Sequence, residues 1–79
     1  MSEVDNYREK WLALNKRVAA LQSVLDAITA AQTACEGERH AITQLGGARS
    51  MIDTILTPYA TQRRVAADQL EKLTGRQPT

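Results

Sequence analysis

The sequence is poor in the residues that carry chemistry. It holds one cysteine, Cys35, so no disulfide can brace the chain from within. It holds one histidine, His40, and the acids nearest it, Glu36 and Glu38, make no recognised metal-ligand spacing with Cys35. No metal and no cofactor is therefore expected. Gly46-Gly47 is an isolated pair and not a glycine-rich phosphate loop. The hydroxyl side chains are scattered, and His40 has no evident nucleophile beside it, so the chain does not read as an enzyme. Aromatic residues make up only 4% of the chain, too few to build a stacking platform for single-stranded nucleic acid.

Other absences bear on location. No stretch approaches the roughly 20 apolar residues needed to span a bilayer. The start, Met1-Ser2-Glu3-Val4-Asp5, is acidic and lacks an apolar segment, unlike a signal peptide. Ten basic residues against nine acidic ones leave a formal charge of +1, which disfavours strong attraction to nucleic acid or to an anionic membrane. A soluble, cytoplasmic protein with no membrane partner is the expectation.

What the sequence does have is helical periodicity. Val4, Tyr7, Trp11, Leu14, Val18, Leu21, Leu25 and Ile28 follow one another in alternating steps of three and four, and the register runs on through Gln32, Cys35, Arg39 and Ile42. That rhythm places the side chains on one seam of a helix, as in a coiled coil. No proline interrupts residues 1–57, and the spacing predicts a helix from about Glu3 to at least Cys35. A second row, Ala20, Val24, Ala27, Ala31, Ala34 and Ala41, keeps the same rhythm beside the seam, broken by Glu38. Its earlier positions, Asn6, Lys10, Ala13 and Arg17, are mostly polar. The first helix therefore changes from a narrow apolar seam before Val18 to a broad apolar face after it, a width that suits two neighbours.

Two glycine sites compete for the place where the chain reverses. Gly37 would end the first helix and give two arms of similar length. Gly46-Gly47, followed by Ser50 and Asp53 in a capping-box-like spacing, is the stronger breaker. A turn there lays residues 48–74 against the broad part of the first helix, and this is the expected turn. The return arm presents Ile52, Ile55, Leu56, Tyr59, Ala66, Leu70 and Leu73 as its inner face, with a kink or break at Thr57-Pro58 that would make a third helix. The fold class is all-α: a long heptad-bearing helix and a shorter antiparallel return arm. A single domain spans residues 1–75, residues 76–79 form a flexible tail, and the hairpins join into an oligomeric bundle.

A turn at Gly46-Gly47 leaves Val4, Tyr7, Trp11, Leu14 and Val18 uncovered in the monomer. Burying such side chains is worth roughly 1.5–3 kcal/mol each, and aromatic anchors dominate interface energetics. These five residues are the expected protein-binding surface. The alternative makes them core, under a return arm that turns at Gly37. The expected partners are a second copy of the chain and a larger protein that it inhibits, escorts or adapts. A reading of a different class is an oligomeric binder of nucleic acid or a phosphate-bearing ligand, using Arg63 and Arg64 as the local patch. Cys35 on the seam reads as a small buried hydrophobe, and His40 as a surface residue.

Overall fold

The computed structural model describes residues 2–78 as two α-helices packed antiparallel, α1 (Glu3–Ala34) and α2 (Arg39–Thr74), with no strand among the described residues. The all-α hairpin expected from the heptad is the fold. Met1 and Thr79, the outer ends of the expected domain and tail, lie outside the described residues.

Both ends of α1 are satisfied locally. The Ser2 side chain accepts a hydrogen bond from the Asp5 amide (3.2 Å), and Glu3 and Asp5 place negative charge in the first turn, where the helix dipole favours it. At the other end the Cys35 amide donates to the Ala31 carbonyl (2.9 Å), and the Glu38 amide donates to the Cys35 carbonyl (2.9 Å). Gly37 sits between them with φ of +92°, in the left-handed region that side-chain-bearing residues avoid. The chain reverses here.

The turn expected at Gly46-Gly47 is therefore corrected to Cys35–Glu38. Gly46 and Gly47 lie inside α2, as do Ser50 and Asp53, so no capping box forms. Magnitudes explain the choice. Two glycines in a helix interior cost about 2 kcal/mol in all. A turn at Gly46-Gly47 would strip the cover from the first five seam residues, Val4 to Val18, and each large apolar side chain there is worth roughly 1.5–3 kcal/mol. Burial outweighs local propensity. The return arm is accordingly the longer helix, 36 residues against 32 in α1.

Pro58 does not split that arm either, and no third helix exists among the described residues. The helix runs through it, although proline offers no amide to the Thr54 carbonyl. Thr57 does not act as a cap. Its hydroxyl donates to the Asp53 carbonyl (2.8 Å), and Thr54 and Thr61 donate likewise to Ser50 and Thr57. Such back-bonding from threonine hydroxyls occupies carbonyls along the same stretch.

The hairpin is a rod, 54 × 18 × 17 Å, with a radius of gyration of 16.8 Å, where a compact chain of this length would have about 11.6 Å. Its core is one seam. Leu14, Val18 and Leu25 of α1 and Ala66 and Leu70 of α2 are the buried apolar residues among those described. At the open end Gly75 terminates α2 in the left-handed conformation, its amide donating to the Glu71 carbonyl (2.7 Å). The Gln77 amide group then donates back to the Glu71 carboxylate.

Candidate protein-binding surface

A second heptad, in α2, defines what the hairpin covers. Ile42, Leu45, Arg49, Ile52, Leu56, Tyr59, Arg63, Ala66, Leu70 and Leu73 alternate in steps of three and four. Most of this row faces the α1 heptad: Ala66 and Leu70 are buried and Ile42, Leu45, Ile52, Leu56, Tyr59 and Arg63 half-buried, while Arg49 and Leu73 are exposed. Two cross-helix bonds fix the register: the Arg49 guanidinium donates to the Thr29 hydroxyl (2.6 Å), and that of Arg63 to the Asn15 amide oxygen (2.8 Å). Both contacts join the helices on one side of the seam.

The other side is different in kind. One position before the α1 seam residues lie Glu3, Asn6, Lys10, Ala13, Arg17, Ala20, Val24, Ala27 and Ala31. One position before each α2 seam residue lie Ala41, Gln44, Ala48, Met51, Ile55, Pro58, Gln62, Val65, Gln69 and Lys72. Because the helices run in opposite directions, an equal offset of about 100° brings both rows to the same side of the rod. From Ala20 to Ala34 on α1, and from Ala41 to Gln69 on α2, neither row carries a charge. Met51 is 67% exposed, Ile55 45% and Val24 42%, and Ala20 and Ala27 are exposed beside them. Arg17, stacked 5.6 Å from the centre of the Tyr59 ring, marks where charge resumes toward the open end.

The five residues expected to form the binding surface lie elsewhere than on this flank. Leu14 and Val18 are core of the hairpin, 2% and 7% exposed, opposite the Ala66–Leu70 segment. Val4, Tyr7 and Trp11 are half-buried along the same seam. The five do lie together, but α2 covers them, since the turn falls nine residues earlier than the Gly46-Gly47 reading required. Ile55 and Leu73, assigned to the inner face of the return arm, are exposed instead. The row through Ala20, Val24, Ala27 and Ala31 was legible beside the α1 seam. Its companion on α2 was not, because a misplaced turn hides the α2 heptad that reveals it.

The remaining candidates sit apart from the flank. Arg63 is half-buried and engaged with Asn15, while Arg64 is exposed and points about 100° away from it around the helix. The two do not form a joint patch. Cys35 is half-buried at the turn, and His40 is exposed in the first turn of α2. Among the described residues no group of three or more His, Cys, Asp or Glu side chains is placed to hold a metal ion, and no helix is long and apolar enough to cross a membrane. A shallow cleft of about 370 Å³ opens at the free end, lined by Arg8, Trp11, Leu12, Leu70, Thr74, Arg76, Gln77 and Pro78.

Fold and surface together define an all-α helical hairpin with one polar flank and one flank that is uncharged from Ala20 to Ala34 on α1 and from Ala41 to Gln69 on α2. No protein-family model matches the chain, and no curated protein or solved structure matches it either.

Proposed function

We propose that this chain is a non-enzymatic, self-associating protein-binding module that works by helix packing on its apolar flank. The observation that carries the reading is the charge-free patch of Val24, Ala27, Ala31, Ala48, Met51 and Ile55. Single exposed apolar residues are ordinary, but a contiguous apolar patch bordered by polar residues marks an interaction surface. Methionine is enriched at such interfaces, and an amphipathic helix pair recognises a partner by completing a bundle. A role as adaptor, inhibitor or escort of a larger protein accords with such a surface.

Met51 supplies the test, because peroxide oxidises an exposed thioether and spares a covered one. In the folded chain at high concentration, Met51 should be oxidised several-fold more slowly than in urea. Ile55→Glu should remove that protection while helicity by circular dichroism persists. Oxidation at the unfolded rate at every concentration would sink the reading. An ionic-strength series adds a second measure, since apolar packing barely responds to salt whereas phosphate binding weakens steeply.

A further inference from the structure

We infer that the flank is covered by a second copy of this chain, related by a two-fold axis parallel to the hairpin, giving a four-helix bundle. The inference rests on the reading of that flank as a docking surface. Within the bundle α1 of each copy packs antiparallel on α2 of the other.

Area is the first reason. A compact protein of 8.7 kDa exposes about 4,700 Å². This chain exposes 5777 Å², an excess of about 1,000 Å², and a standard interface covers about 800 Å² on each partner. One face of the rod, 54 Å long and 18 Å wide, is of the size required. Covering it takes contact along the full length of the hairpin.

Shape is the second. The register set by the Arg49–Thr29 and Arg63–Asn15 bonds puts Ala27 level with Met51, and Val24 level with Ile55. The flank thus carries small side chains on α1 and bulky ones on α2 at the same height. A two-fold axis parallel to the rod lays the Met51 and Ile55 knobs of each copy over the alanine row of the other, and the surface is complementary to itself.

Charge is the third. The same operation sets Lys10 and Arg17 of one copy level with the uncharged Gln62, Val65 and Gln69 of the other, and Lys72 level with Asn6, so no like charges stand directly opposite. A two-fold axis perpendicular to the rod at its midpoint would lay Ala27 and Ala31 across Lys10 and Asn6 of the second copy. That arrangement takes an ammonium group out of water against a methyl row and supplies no partner for it.

Disulfide trapping tests the arrangement. Two single-cysteine chains, Ala27→Cys and Met51→Cys, each in a Cys35→Ser background, are refolded together and oxidised mildly. Light scattering should give a particle of twice the 8.7 kDa chain mass, and the mixture should yield the mixed disulfide while each chain alone yields almost none. Homodisulfides from either chain alone would overturn this symmetry and leave the docking surface intact. A monomer at millimolar concentration would overturn the second copy as occupant. Met51 protection in the unmodified chain together with homodisulfides would keep the docking surface and overturn only the two-fold arrangement, whereas a monomer whose Met51 oxidises at the unfolded rate would overturn both. Both cysteine substitutions fall on the exposed flank, so loss of helicity would not be confused with loss of pairing.

Discussion

Three glycines in this chain answer to different constraints. Gly37 holds φ of +92°, where a side chain costs roughly 1–2 kcal/mol. Gly37→Ala should therefore destabilise the hairpin by about that amount, read as a lower urea midpoint. Gly46 and Gly47 lie in helical conformation. A Cβ on Gly46 would meet only the Gln32 amide nitrogen at 3.8 Å, and one on Gly47 would meet nothing within 4 Å. Alanine at either position should stabilise the fold by about 1 kcal/mol, because glycine weakens a helix interior. Opposite signs at sites that read alike as breakers would show that backbone conformation, and not glycine as such, marks the reversal. Pro58 belongs with them. It is exposed inside α2, and Pro58→Ala should raise stability by up to about 3 kcal/mol in the same titration by restoring the bond to the Thr54 carbonyl.

At the scale of the element, the two helices differ in what a truncation should do. Leu14→Ala or Leu70→Ala removes atoms from the seam and should cost about 2–5 kcal/mol, measured by urea unfolding. Met51→Ala removes nothing from the hairpin core, so in dilute solution its effect should stay within about 0.5 kcal/mol. The unbroken rhythm from Val4 to Ile28 made α1 and its seam legible in the sequence, and with them the all-α class. The partner of that seam was not legible. Local signals favoured Gly46-Gly47, the stronger breaker by composition, whereas the burial that decides the turn depends on contacts between residues some fifty positions apart. A turn at Gly46-Gly47 reverses the reading of the surface: it makes Leu14 and Val18 exposed and Ile55 and Leu73 covered, the opposite of what the fold shows. The alanine row beside the α1 seam is legible in the sequence as an apolar arc wider than a single neighbour needs, and it lies on the uncharged flank.

For the whole molecule, a rod with one seam is a thin basis for stability, and in the proposed bundle the flank supplies the remainder. Thermal unfolding should then depend on concentration, with each tenfold increase adding about 1.4 kcal/mol to the apparent stability of a dimer. A midpoint that stays fixed over three decades of concentration would argue for a monomer. The four-residue reversal at Cys35–Glu38 also sets an order of events. Contacts nearer it, such as Arg49 with Thr29, close a short loop, while Trp11 and Leu70, which line one cleft, must close a loop spanning most of the chain. Loop-closure entropy grows with that span, so pairing propagates from the turn outward and is undone from the free ends inward. Trp11, the one tryptophan, sits at the end that docks last. Its fluorescence therefore reports the fraying of the open end and not the melting of the rod, and on heating it should change before the helical circular dichroism does.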